Sequence, residues 1–214
     1  MRRLHAFAVF LAAVLQTGLA ITHASGASPD SSGNEPWAFT LTTDGYLVPD
    51  QDGYVSPTFA ADRGWLHLEA RYAYEDLRTG SVWVGYNFST GKDLIFSVTP
   101  MVGAVFGKTT GIAPGCKASL NYKTLQLSVS NEFVFSTSNR SSSFYYSWPQ
   151  LTYSPLNWFH VGLVAQRTKA YHSSLDTQRG FLFGFSHKRL ELTAYVFNAG
   201  WTRPTVVLEA GVTF

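Results

Sequence analysis

From Trp37 to the C-terminus, apolar and polar side chains alternate residue by residue. A period of two fits a strand with two unlike faces and does not fit a helix. Four stretches carry the pattern most clearly. In 65–75 the even positions are Leu66, Leu68, Ala70, Tyr72 and Tyr74, and the odd positions include His67, Glu69, Arg71 and Glu75. In 125–136, Leu125, Leu127, Val129, Phe133 and Phe135 oppose Gln126, Ser128, Ser130 and Glu132. Phe181, Phe183 and Phe185 alternate with Leu182, Gly184 and Ser186. At the end, Val206, Leu208, Ala210, Val212 and Phe214 oppose Glu209, Gly211 and Thr213.

Turn residues divide the pattern into twelve predicted strands: 37–47, 54–60, 64–75, 80–88, 93–106, 114–122, 124–136, 143–154, 157–168, 178–187, 189–198 and 204–214. Pro57 interrupts the second, so ten strands behind an extended N-terminal segment is the alternative. The connections alternate in kind. Those at 61–64, 89–93, 122–124, 154–157 and 187–189 are short. Those at 75–80, 107–115, 136–143 and 169–178 are longer and more polar, with 49–53 and 199–204 as short members. Short turns at one end, longer loops at the other and an even strand count describe a closed antiparallel transmembrane β-barrel. The predicted fold class is therefore all-β.

Composition decides which face looks outward. Charged residues make up 14% and aromatics 15%, whereas a soluble domain carries about a quarter charged residues. The polar face is rich in Ser, Thr, Gly, Asn and Gln and poor in Lys and Glu, which suits a lumen better than a solvated exterior. Aromatics near strand ends, at Tyr72, Tyr74, Tyr86, Phe88, Tyr145, Tyr153, Phe159 and Phe214, are placed for the two girdles of a membrane barrel. Only a closed sheet or a helix satisfies its backbone in hydrocarbon.

The N-terminus reads as an export signal. Arg2 and Arg3 precede an apolar run from Ala6 to Leu15, and small residues follow at Ala20, Ala24 and Ala27. The expected organisation is a signal peptide over 1–24 (or to 27), a short disordered leader over 25–36 and the barrel over 37–214. Removing 1–24 takes two arginines from 16 basic residues and no acid from 14, leaving 14 of each. A neutral mature chain without a basic stripe is not a nucleic-acid binder. Cys116 is the single cysteine, so no internal disulfide forms. It has no histidine pair at metal-ligand spacing, and neither metal nor cofactor is expected.

The terminal run Val206-Val207-Leu208-Glu209-Ala210-Gly211-Val212-Thr213-Phe214 resembles the C-terminal signature of Gram-negative outer-membrane β-barrels. Phe214, Val212, Leu208 and Gly211 match it, and Ala210 stands where a larger residue is common. The resemblance implies recognition by the barrel-assembly machinery and insertion among outer-membrane lipids.

Lumen-lining candidates follow from the inward face: His67, Glu69, Arg71, Lys117, Glu132, His160, Glu191 and Glu209, with Glu75 beside them. A barrel avoids charge on its lipid face, where Arg or Lys costs about 2–4 kcal/mol at the midplane. Mutual pairing therefore explains such charges as readily as a solute filter does. Tyr146, Trp148 and Tyr195 are placed to narrow the lumen. The expected function is a small, cation-biased diffusion pore, monomeric and without catalytic residues. A non-conducting surface or structural barrel is the alternative. A lipid hydrolase is the weakest reading: His172 and Ser174 are two apart but fall in a loop, and Asp176 is too close along the chain to orient the histidine.

Overall fold

A computed structural model describes residues 35–50, 52–170, 176–200 and 204–214. The expected signal peptide and leader fall on 1–36 and so lie almost wholly outside the described residues, as do His172 and Ser174. Among the described residues twelve strands form one antiparallel sheet: β1 Ala38–Leu47, β2 Tyr54–Arg63, β3 Leu66–Tyr72, β4 Thr79–Tyr86 continued by Phe88–Thr90, β5 Leu94–Gly107, β6 Gly111–Tyr122, β7 Leu125–Ser136, β8 Phe144–Leu156, β9 Phe159–Ala170, β10 Asp176–His187, β11 Leu190–Phe197 and β12 Thr205–Thr213. Each pairs with its neighbours in sequence, and β12 returns to pair with β1 from Thr40↔Thr213 to Leu47↔Val206. Reciprocal backbone bonds of 2.9 Å between Phe39 and Phe214 complete the seam. The sheet is a closed barrel with no free edge.

Sequence and structure part at three places. Pro57 does not end β2. It pairs with Thr43 one residue beyond the last β2–β3 pair, Thr58↔Arg71, where a missing ladder donor costs least. β4 breaks at Asn87, whose side chain reaches Asp62 at 2.7 Å and accepts from Thr99 at 2.7 Å. The third difference corrects the predicted girdle. β3 stops at Tyr72 because Ala73 takes a left-handed φ of 53°. The turn swings Tyr74, Glu75 and Asp76 into the barrel mouth, where all three are buried. Tyr74 is an interior residue.

The two faces differ as the alternation requires. Leu127, Phe135, Leu163, Phe181, Phe183 and Leu208 are exposed on the outer wall, part of an apolar surface far larger than soluble monomers leave to water. At the short-turn rim, Trp65 stacks on Tyr86 at 5.6 Å and Trp158 on Phe185 at 6.0 Å. Phe39 joins Phe59 and Phe214 at about the same spacing, 5.9 and 6.2 Å. Apolar outside, charged inside and ringed by aromatics, the wall is built for hydrocarbon.

Candidate functional site

The interior of the barrel is the concave, chemically differentiated part of the molecule. Two clusters reach across it. The first is ionic and centred on Arg71 of β3. Its Nε donates to Glu69 Oε2 at 2.6 Å, and its Nη1 donates to Glu132 Oε2 of β7 at 3.1 Å and lies 3.6 Å from Glu75. The guanidinium is held between the rings of Tyr74 and Trp83, 4.0 and 4.3 Å from their centroids. Trp83 can lie inward because β5 and β6 present Gly103 and Gly115. A Cβ on Gly103 would stand 2.4 Å from the Trp83 ring. Trp83 in turn donates to Ser81 at 2.9 Å, and Ser81 donates to Glu75 at 2.5 Å.

Towards the short-turn end the network continues through Glu69 Oε1, which meets both Lys117 Nζ and His67 Nε2, the latter at 2.9 Å. His67 Nδ1 lies 2.7 Å from Asp62. On the other wall His160 Nε2 is 3.1 Å from the Thr193 hydroxyl and 3.7 Å from Glu191, lying over Gly184. Glu209 accepts from the Tyr195 hydroxyl at 2.8 Å.

The second cluster is aromatic and fills the barrel from its middle to the loop end. Trp148 of β8 meets Tyr195 and Phe197 of β11 edge-on at 5.3 and 5.2 Å. Phe144, Tyr146, Val134 and Val207 surround them, all at 1% exposure or less.

The eight residues expected on the inward face differ in burial. His67, Glu69, Arg71, Glu132, His160 and Glu209 are buried, and Lys117 and Glu191 are half-buried. The fold joins His67, Glu69, Arg71, Lys117 and Glu132 into one network and sets Glu191 beside His160. Glu209 is held by Tyr195 and lies within electrostatic reach of Glu191. Alternation does not single out Asp44, which is fully buried, or Asp62. β1 carries Thr40, Thr42 and Thr43 on both faces, so its alternation is faint, and Asp62 falls where a turn is predicted. Among the described residues no group of three or more His, Cys, Asp or Glu side chains is arranged to hold a metal.

In the terminal run 206–214, Leu208 and Phe214 are exposed on the outer wall. Gly211 lies inward, opposite Thr42.

A closed antiparallel barrel of twelve strands, apolar outside and polar within, is a fold shared with solved structures. Among solved structures, the KdgM porin superposes with a TM-score of 0.55 at 14% identity, covering 82% of this chain and 98% of its own. The KdgM porin in complex with disordered oligogalacturonate gives the same TM-score and coverage at 15% identity. OccK5 of Pseudomonas aeruginosa gives a looser match, with a TM-score of 0.44 at 8% identity over 83% of this chain and 66% of its own. No protein-family model matches the sequence, and no curated protein does.

Proposed function

We propose that the chain is a monomeric outer-membrane channel of narrow bore that passes small solutes with a bias towards cations. The observation supporting this is the charge inside the closed barrel. Among the described residues six carboxylates are buried, those of Asp44, Glu69, Glu75, Asp76, Glu132 and Glu209, against the guanidinium of Arg71 and the ammonium groups of Lys117 and Lys108, which pair with Glu69 and Asp76. Such an excess concentrates cations and repels anions along any path between the walls. The porin neighbour is described with oligogalacturonate, a polyanion, which this interior disfavours. Glu69 and Glu132 are committed to Arg71 and Glu209 accepts from Tyr195, so Glu191, half-buried beside His160, is the candidate acid most open to a solute, with Glu209 next to it in the same wall.

Planar-bilayer recording of the purified protein should show small, cation-selective steps. Replacing Glu191 and Glu209 together with glutamine should move the reversal potential towards neutrality. Unchanged selectivity in the double variant would remove the filter while leaving the barrel intact. The filled loop-end half supports one competing reading, a barrel that conducts nothing, and the complete absence of steps would decide for it.

The route to the membrane is proposed from the sequence: export by the signal peptide 1–24, then insertion by the barrel-assembly machinery through the Phe214 terminus. Phe214→Ala should cut outer-membrane abundance and leave misassembled chain in the periplasm, because β12 is an open edge until it meets β1. Refolding in detergent should change little, since one half-exposed rim side chain contributes about 1–3 kcal/mol at most. Normal abundance of the variant in fractionated envelopes would rule out the terminal signal.

A further inference from the structure

The outer wall carries almost no charge. Among the described residues, the outward positions of the strands hold no Asp, Glu, Lys or Arg except Arg63, which ends β2 at the short-turn rim, and three cations at the loop end. These are Arg167 and Lys169 of β9 and Arg179 of β10, all exposed. They share the outward face with Leu163 and Phe181. Phe181 pairs with Leu163, Arg179 with Ala165 and Thr177 with Arg167. Arg167 and Arg179 are therefore diagonal neighbours about 7–8 Å apart, and Lys169 follows roughly 7 Å further along β9. No counter-charge stands beside them. β8 and β9 contain no acid, and Asp176, the acid of β10, falls on the inward side of the alternation. Among the described residues none of the three cations forms an ion pair.

Their depth is that of a membrane interface. β9 starts at the rim aromatic Phe159, which packs on Trp158 and Phe185. From Phe159 to Arg167 the strand advances roughly 26 Å at about 3.3 Å per residue. A tilt of about 40° reduces that to a height of roughly 20 Å, near the upper edge of an apolar band about 25 Å tall. Directly below the cations, on the same strands, an apolar groove of about 490 Å³ opens in the outer wall. Leu151, Tyr153, Val161, Leu163, Phe181 and Phe183 line it. Leu151, Leu163 and Phe181 form its upper row, next to Arg179, and Val161 lies half-buried between Tyr153 and Phe183 in the lower one.

We infer that the outer wall at β8–β10 binds lipid A, the phosphorylated and multiply acylated sugar of the outer leaflet. Arg167, Arg179 and Lys169 hold its phosphates, and acyl chains lie along the groove beneath. Each half of the face asks for one half of that ligand. Two arginines grip phosphate through paired N–H donors, and the lysine adds a point charge. The groove has no polar side chain except the Tyr153 hydroxyl to satisfy and is filled by hydrocarbon. Their order along the strands, cations at the loop end and groove below, fits a lipid whose head faces the longer loops. A phospholipid of the other leaflet presents its phosphate at the opposite rim. The inference rests on the outer-membrane placement proposed above, with the longer loops outside, and is independent of conduction.

The test titrates the whole mature barrel in detergent with lipid A and counts bound lipid by native mass spectrometry. Lipid A should bind saturably, and its dephosphorylated form at least about tenfold more weakly, the scale of one charge-assisted hydrogen bond. Arg167→Gln combined with Arg179→Gln should weaken lipid A by about tenfold or more. Lys123→Gln, at the short-turn rim, should leave binding unchanged. Heat-modifiable gel mobility confirms that each variant is folded, which exposed positions make the expected result. Equal binding of the two lipid forms, or of parent and double variant, would overturn the phosphate contacts. Phosphatidylglycerol bound as tightly as lipid A would overturn the choice of lipid. Recovery of the chain outside the outer-membrane fraction would overturn the placement, and cell fractionation reads that separately from binding in detergent.

Discussion

Replacing Arg71 with methionine should lower the unfolding free energy of the barrel by about 3–5 kcal/mol, the cost of removing one partner from a buried ion pair. The size follows from what is left behind. Glu69, Glu75 and Glu132 all direct oxygens at the guanidinium, and all are buried. Methionine fills most of the space but donates nothing, so three carboxylates lose a shared counter-charge and Tyr74 and Trp83 lose the cation between them. Lysine is a poor substitute, because one compact ammonium cannot reproduce the fork that serves Glu69 and Glu132 together. Denaturant titration in detergent, read by tryptophan fluorescence and by heat-modifiable gel mobility, measures the loss. A methionine variant as stable as the parent would show that the network's attraction only balances its desolvation. Combining it with Glu69→Gln, Glu75→Gln and Glu132→Gln should recover part of the loss, since the orphaned charges are then gone.

This network shows where sequence reading works and where it stops. Strand number, the closure of β12 on β1 and the inward direction of Glu69, Arg71 and Glu132 follow from alternation and turn spacing, because a period of two admits one way of hiding charge from lipid. Partnership does not follow from alternation. Arg71 and Glu132 lie 61 residues apart, and only the curvature of a closed wall brings β3 within reach of β7. Tyr74 was misplaced because period two was carried past Tyr72, and nothing local announces the left-handed φ at an alanine. Trp65 and Trp158 are rim aromatics, at 59% and 53% exposure. The alternation places both at the start of predicted strands, 64–75 and 157–168, whereas each occupies the tight turn immediately before β3 or β9. Asp44 stayed hidden for a different reason: its significance is a register partner at the other end of the chain.

Trp148→Ala should both weaken the barrel and open it. Trp148 projects from β8 across the interior to Tyr195 and Phe197 of β11, two strands beyond its own neighbour β9, so its ring spans a chord of the lumen rather than lining one wall. It is 1% exposed, and its indole N–H donates to Gln150 at 3.4 Å. Truncating a buried tryptophan costs about 3–5 kcal/mol, and here neighbouring strands cannot close in on the gap, because a closed hydrogen-bonded wall fixes their spacing. The space left is flanked by Tyr195, which bonds Glu209, and by Gln150, polar groups able to hold water. Single-channel conductance should therefore rise well above that of the parent, while cation selectivity persists because the acids are untouched. Trp148→Phe, which keeps a ring in the chord, should restore most of the stability and keep conductance low. Equal conductance in the parent and the alanine variant would place the solute path away from Trp148, along the wall that carries Glu191 and His160.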